Sequence, residues 1–427
     1  MALSTIPQID DIEQYIQSLA REARQASRQL ASLSTRVKNE ALLEAARRIR
    51  SEKSRIQEQN QLDLRAGEEK GLSSAMLDRL HLNDKRLEAI AAMLEEVAAL
   101  PDPVGEITDM RVRPSGIQVG RMRVPLGVVG LIYESRPNVT VDAAALCLKS
   151  GNAIMLRGGS EAIHSNLILA GILRETLESR GISKAAVSFV ETTSREAVRF
   201  MCRLRGLVDV IIPRGGKSLI ETVVELATIP VLKHYDGNCH VYVDKDAIPE
   251  IAHRICMNAK VQRPGVCNAA ETFLIHRSLS GDFLQGLLED LKAKGVEVRA
   301  CDRTREIYPD VKAATEDDWN AEYLDLIVAL KLVDSLDEAL EHLDQYSSRH
   351  TESIVTNNHS SAMRFLREVD SSSVMVNAST RFSDGGEYGL GAEMGISTDK
   401  LHARGPMGIM ELTCQKFIVL GEGQIRE

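Results

Sequence analysis

Long apolar runs are missing from this 427-residue chain, and none approaches the roughly 20 residues that span a bilayer, so no membrane partner is expected. The opening residues 1–13 carry acids and lack the apolar centre of a secretory leader. Positive charge is short as well: at a net charge of −9 the chain is a poor match for a phosphate backbone, so no nucleic-acid partner is expected. The seven cysteines (147, 202, 239, 256, 267, 301, 414) are an odd number with no Cys-x-x-Cys pair. That spacing fits neither a disulfide framework nor a zinc site, so the expectation is a cytoplasmic protein with reduced thiols and no metal. Two nucleotide fingerprints fail too. Gly216-Lys217-Ser218 ends like a P-loop, but Ile211 stands where the first glycine is required. Gly389-Leu390-Gly391 starts like a dinucleotide loop, but Met394 holds the third glycine's place and no suitable strand leads into it.

What is present is an ordinary globular composition, 44% hydrophobic and 26% charged, in a chain long enough for about two or three domains. Residues 10–100 read as helices: Ile12, Tyr15, Ile16, Leu19, Ala23, Ala26 and Leu30 recur at three- and four-residue steps. Asn83 is an N-cap signal, and Pro101 and Pro103 close the helical region. Alternating apolar and basic residues around Pro114-Ser115-Gly116 then predict a β-hairpin. Its edges need covering, which makes it a candidate contact in a homo-oligomer, and its arginines read as a solvated face. From there strands alternate with helices, with strands expected at 126–133, 153–156, 187–190, 208–212 and 241–243, and again at 272–276, 326–332, 354–356 and 374–377. This is an α/β pattern of two successive, mostly parallel units. A last apolar run, 411–420, is a strand that pairs either with the hairpin or with a neighbouring subunit.

In parallel sheets, ligands bind beyond the carboxyl ends of strands. Three such ends stand out: Tyr133-Glu134-Ser135-Arg136-Pro137-Asn138, Arg157-Gly158-Gly159-Ser160, and Pro213-Arg214-Gly215-Gly216-Lys217-Ser218. Glycine pairs admit a close backbone approach and each segment brings a cation, a pattern that suits a phosphate-bearing cofactor. The second centre of interest is Val261-Gln262-Arg263-Pro264-Gly265-Val266-Cys267-Asn268. Here one thiol sits in a Pro/Gly turn between an expected helix (248–259) and a strand. Taken alone, Cys267 reads either as a buried structural cysteine or as a nucleophile whose thiolate is favoured by Arg263 or by turn N–H groups.

The runs Pro125-Leu126-Gly127-Val128-Val129-Gly130-Leu131-Ile132-Tyr133 and Lys149-Ser150-Gly151-Asn152-Ala153, with Cys267 downstream, resemble the aldehyde dehydrogenase superfamily. With Gln262 to Asn268 and Thr380-Arg381-Phe382-Ser383-Asp384-Gly385-Gly386-Glu387 added, the chain is similar over nearly its whole length to the branch that reduces an acyl phosphate in proline biosynthesis. The resemblance implies an aldehyde-dehydrogenase-like fold of two Rossmann-like α/β domains plus a small β oligomerisation flap. Its boundaries here are 1–107 with 125–234 for the cofactor domain, 235–405 for the catalytic domain, and 108–124 with 406–427 for the flap. It also implies NADPH-dependent reduction of L-glutamyl 5-phosphate to L-glutamate 5-semialdehyde through a thioester on Cys267. A glutamate kinase handing over the labile acyl phosphate is a further partner the chemistry suggests.

For the oxyanion the resemblance offers Asn138, with Ser135 or Arg136 as alternatives. For the cofactor it offers Lys149, Arg157, Gly158, Gly159, Ser160, Pro213, Arg214, Gly215, Gly216, Lys217 and, at the nicotinamide ribose, Glu322. No carboxylate follows Arg157 directly, and Arg157, Arg214 and Lys217 are cations suited to a 2′-phosphate, so NADPH is expected over NADH. For the substrate's phosphate and carboxylate the candidates are Arg263, Arg381 and Ser379, with Arg136 nearby in the motif; for its ammonium they are Glu134 and Glu387. His234 stands where aldehyde-oxidising members carry a water-activating Glu, a replacement that suits reduction, and both a base role and a plain cap role remain open for it. Two alternatives stay in view: another thiol-dependent acyl or aldehyde oxidoreductase of the superfamily, and a non-catalytic oligomeric binding protein.

Overall fold

A computed structural model of the chain describes residues 9–426, so the first eight residues of the acidic opening segment lie outside it. The described chain divides into two compact units, one of residues 1–233, 389–395 and 407–427, the other of 234–388 and 396–406.

The first unit is built on a four-stranded parallel sheet in the order Val187–Phe189, Ala153–Arg157, Val128–Tyr133, Val210–Arg214. Its two central strands are buried at every residue, as expected where helices cover both faces and the strand sequence runs continuously apolar. The helical region predicted for residues 10–100 forms, and Ile12–Leu30 turns Ile16, Ala20, Ala23 and Leu30 inward. Asn83 caps the helix Asp84–Ala99 by accepting from the Arg86 N–H. Because the first strand, Val128–Tyr133, lies between Ala153–Arg157 and Val210–Arg214, the connections leave it in opposite directions. A topological switch point therefore opens at its carboxyl end, at Glu134 to Asn138.

The hairpin forms from Ile107–Val112 and Gln118–Pro125, with Gly116 in the left-handed region of its turn (φ +85°). Thr413–Leu420 pairs antiparallel with Gln118–Pro125, which resolves the two readings of that segment in favour of the hairpin. The sheet leaves Val112, Phe417 and Val419 exposed, at 71%, 68% and 57%. Residues 389–395 also pack into this unit: Glu393 pairs with Arg214 at 3.4 Å, and a Cβ at Gly391 would lie 3.1 Å from Leu100.

The second unit holds a seven-stranded parallel sheet in the order Lys312–Ala313, Glu297–Ala300, Ile327–Val333, Ala270–His276, Cys239–Val243, Thr351–Val355, Ser373–Val376. The strands Glu297–Ala300 and Lys312–Ala313 escaped the sequence reading, since each is short and the first alternates half-buried with buried positions instead of running apolar. The core is mostly aliphatic around Phe273, with Val241, Phe273, Leu287, Leu291 and Leu330 fully buried. Among the described residues no helix is long and apolar enough to cross a membrane.

Candidate functional site

Cys267 lies in the turn between the helix Pro249–Val261 and the strand Ala270–His276, and it is half-buried. An ion pair braces the two flanks of this turn: Lys260 near the helix end meets Glu271 in the strand at 2.5 Å, both with no exposure. Burial pushes the Glu271 carboxyl up to about 7 and lowers the Lys260 ammonium. A buried pair of this kind is held because losing either partner would strand the other, at about 3–5 kcal/mol.

The nucleophile candidate sits at the amino ends of three adjacent strands. Gly237 and Asn238 precede Cys239–Val243, Cys267 precedes Ala270–His276, and His350 precedes Thr351–Val355. The Gly237 backbone runs directly against that of Cys267: a Cβ there would overlap the Cys267 carbonyl and lie 2.6 Å from its Cα. Glu322 accepts the Gly237 N–H at 2.8 Å, and the Asn238 amide donates to the Trp319 and Tyr346 carbonyls at 2.7 and 2.9 Å. The buried Cys239 thiol donates to the Cys267 carbonyl at 3.1 Å, and burial drives its own pKa well up, so it is a brace and not a rival nucleophile.

Side chains of several proposed roles gather here. One ligand-type atom each of His234, Cys267 and His350 lies within 4.8 Å of the other two. Arg381 donates to Gln262 at 2.8 Å; burial and the nearby Arg263 lower its pKa, and it also feels Cys267. Arg263 is exposed. Asn268 is anchored by its amide on the Ser383 carbonyl at 2.9 Å. Ser379 is buried, and its hydroxyl accepts from the Arg381 N–H as the cap of the short turn Thr380–Phe382. Glu387 lies exposed on the turn that Asp384 organises. His350 was missed by sequence reasoning, since a lone histidine between Arg349 and Thr351 has no local signature and becomes informative only when strand order sets it beside Cys267.

In the first unit the picture differs residue by residue. Ser135 adopts φ +42°, unusual for a non-glycine residue, and Glu161 holds it there by accepting both its N–H and its hydroxyl at 2.7 Å. Asn138 opens the helix Asn138–Lys149 and donates to Asp142 at 2.8 Å. Burial lifts the Asp142 carboxyl to about 6. Arg136 is half-buried in the same loop.

Five of the candidate residues, Lys149, Arg157, Gly158, Gly159 and Glu134, make close contacts within the fold. Lys149 is fully buried and donates to Asn39 at 2.6 Å and to the Ala98 carbonyl at 2.8 Å, so it braces two helices. Arg157 is buried, donating to the Gly158 carbonyl at 2.8 Å and the Thr193 carbonyl at 3.2 Å; burial holds its pKa below the usual range. Gly158 and Gly159 are closely packed: a Cβ at Gly158 would meet Asn166 and Tyr133, and one at Gly159 would meet Glu161. Glu134 is exposed, and one of its carboxylate oxygens accepts the Gly216 N–H at 2.9 Å.

That third segment keeps an open face. Val210–Arg214 ends in Gly215 and Gly216, the helix Lys217–Leu226 follows, and nothing lies within 4 Å of a Cβ at Gly216. Pro213 is buried within the strand, while Lys217 and Ser160 are exposed. One exposed cation that the sequence reading passed over belongs with these: Arg195, after the strand Val187–Phe189, lies close enough to Arg157 to lower its pKa. Open backbone at a helix start and exposed cations at the carboxyl ends of a parallel sheet fit an anionic dinucleotide.

Residues 3–321 match the model of the aldehyde dehydrogenase family. A gamma-glutamyl phosphate reductase from Caldanaerobacter subterraneus is 55% identical over 408 residues, 96% of this chain and 99% of that protein. One from Moorella thermoacetica is 56% identical over 412 residues, again 96% and 99%. The crystal structure of a gamma-glutamyl phosphate reductase from Thermotoga maritima superposes with a TM-score of 0.94 at 49% identity, covering 96% of this chain and all of that one. On fold, length and sequence together, the chain belongs to the gamma-glutamyl phosphate reductases within the aldehyde dehydrogenase family.

Proposed function

We propose that this chain reduces L-glutamyl 5-phosphate to L-glutamate 5-semialdehyde with release of phosphate, the reducing step of proline biosynthesis. What supports the reading most is a half-buried Cys267, braced by Gly237 and Cys239 and set near Arg263 and Arg381, in a chain more than half identical to reductases of that name. The Cys267 thiolate attacks the acyl carbon; a C–S bond forms, the C–O bond to phosphorus breaks, and phosphate departs as a stable anion. Arg263 and Arg381 are the groups for the anionic ends of the substrate. Asn138, steered by Asp142, is the proposed donor to the developing oxyanion, and such a donor is worth about 10²–10³ in turnover.

The reducing agent is a nicotinamide dinucleotide, which supplies hydride when bound. NADPH is the proposed form. Exposed Lys217 and Arg195 would hold its phosphates in place of the inward-turned Arg157 and Lys149, with Gly215 and Gly216 giving backbone access. Glu322, already tied to Gly237, is the proposed contact to the nicotinamide ribose. The first unit is then the cofactor domain and the second the catalytic one. The hairpin sheet, which exposes Phe417 and Val419 on one face and Val112 on the other, is the proposed contact between identical subunits.

Replacing Cys267 with Ala tests the covalent step. Reduction should be abolished while NADPH still quenches or shifts protein fluorescence at unchanged affinity; substantial residual turnover would refute the thioester. Running the reaction backward from semialdehyde, NADP and phosphate, with each omitted in turn, tests the substrate. Oxidation that proceeds equally well without phosphate would point to an ordinary aldehyde dehydrogenase.

A further inference from the structure

We propose that Cys267, His234 and His350 form a binding site for a soft divalent cation of the zinc class, and that its occupation silences the nucleophile. The three come from distant parts of the chain, so the cysteine-spacing argument that excluded a local zinc motif does not reach them. One donor atom of each lies within 4.8 Å of the other two. Zinc bonds of about 2.3 Å to sulfur and about 2.0–2.1 Å to nitrogen place tetrahedral donors roughly 3.3–3.6 Å apart. Closing the set around an ion therefore takes side-chain shifts of about an ångström, within reach of a half-buried cysteine and a half-buried histidine.

The ring nitrogens are set for this. His234 Nδ1 lies 2.9 Å from the Ile396 carbonyl oxygen. A carbonyl only accepts, so Nδ1 carries the proton and Nε2 is the basic nitrogen. His350 Nδ1 faces Thr351 Oγ1 at 2.9 Å and Cys239 Sγ at 3.6 Å. Its Nε2, in a side chain with no solvent exposure, has no hydrogen-bond partner. A buried ring nitrogen without a bond is an unmet donor–acceptor need that a cation would meet. In the proposed site the Nε2 atoms bind the cation, and an oxygen at each Nδ1 is the arrangement that orients imidazoles around a metal. Cys267 supplies the soft anionic ligand that Mg²⁺ or Ca²⁺ would refuse and Zn²⁺ or Cd²⁺ prefer. Cys267 and His234 are both half-buried, which leaves a fourth position to water.

Binding converts the Cys267 thiol to a metal-bound thiolate and releases its proton, with no change of oxidation state. The lone pair that would attack the acyl carbon is then held by the cation. Inhibition, though not binding, rests on the proposed role of Cys267 as nucleophile. The cation should compete with the acyl phosphate and be removed by a chelator.

The test uses the full chain with Cys301→Ser and Cys414→Ser, which removes the two other cysteines that are not buried. Titration with Co²⁺ or Cd²⁺ alone, followed by the thiolate-to-metal charge-transfer band, should saturate at one equivalent per chain, and Zn²⁺ should bleach the cobalt signal. The band should vanish with Cys267→Ala, and affinity should fall at least tenfold with His350→Gln, checked as folded by its melting curve. If His350→Gln does not fold, His234→Gln carries the same expectation. A band that survives Cys267→Ala, or that keeps its affinity without both imidazoles, would show adventitious thiol binding and overturn the site. Because the band is read without substrate, a chain that binds Co²⁺ as expected yet reduces no acyl phosphate would count against the function and leave the metal site standing.

Discussion

The two units use opposite ends of their parallel sheets, and they treat their polar side chains in opposite ways. In the first unit the suggestive segments lie at carboxyl ends, as the general rule for such sheets expects. In the second, Cys267, Gly237 and His350 gather at amino ends. At the first site most of the charged groups that looked ready for a ligand are already engaged: Lys149 with Asn39 and Ala98, Arg157 with Gly158 and Thr193, Glu134 with Gly216, Arg214 with Glu393. At the second, a half-buried thiol stands beside an exposed Arg263 and a buried imidazole nitrogen with no bond. The difference teaches that a residue's type announces a chemistry, while the satisfaction of its atoms decides whether that chemistry faces a ligand.

The sharpest way to break this contrast is at Gly237. With its Cβ position overlapping the Cys267 carbonyl, Gly237→Ala must move the backbone of Cys267, the proposed nucleophile. A displacement of about an ångström at a reacting group costs roughly 10²-fold, so kcat should fall by about that factor, alongside a stability loss of about 1–3 kcal/mol from the overpacked contact. Near-normal kcat would mean that the turn tolerates displacement and that Cys267 is not held in one position for attack.

Lys149→Met tests the other side. Loss of the ammonium leaves Asn39 and the Ala98 carbonyl without their donor inside the fold, at about 1–3 kcal/mol of stability. Urea unfolding should register that loss while KM for NADPH stays within about twofold. A raised KM with stability intact would return Lys149 to the cofactor. Arg195→Glu should do the reverse, raising KM for NADPH about tenfold, equivalent to about 1.4 kcal/mol, with little effect on NADH or on unfolding. Equal loss with both cofactors would assign Arg195 elsewhere.

Much of this was legible in the chain itself. The period-3.6 stripes of residues 10–100, the Pro-Ser-Gly hairpin and the apolar strands 126–133 and 153–156 all formed, because burial on both faces leaves those strands little other composition to adopt. The turn that carries Cys267 was legible because Pro264 and Gly265 fix a backbone that no helix or strand would use. The strand Glu297–Ala300 was not, since four residues that alternate half-buried and buried give too short a pattern. Neither was His350, whose meaning comes from strand order alone. The inward turn of Arg157 and Lys149 was hidden for a different reason: a long cationic side chain can reach carbonyls on either side of its backbone, and sequence does not say which.

The smallest effect sharpens the comparison at the one first-unit group whose titration is coupled to a proposed donor. Burial raises the Asp142 carboxyl from 3.8 to about 6, against the pull of Asn138 and Arg214. The folded chain therefore binds this proton more tightly than the unfolded one, so the group favours folding most below its unfolded pKa. Stability from it declines as pH rises from about 4 through about 6 and is level above. The full shift would be worth at most ~3 kcal/mol, and partial exposure reduces that to on the order of 1 kcal/mol. Asp142→Asn, which cannot ionise, should flatten that part of the stability profile. Ionised Asp142 is also the stronger acceptor for the Asn138 amide, so kcat should step up by about twofold as pH passes 6 in the parent chain, and the step should vanish in the variant. A step that persists in Asp142→Asn would mean that another group sets it and that Asn138 is not steered from this side chain.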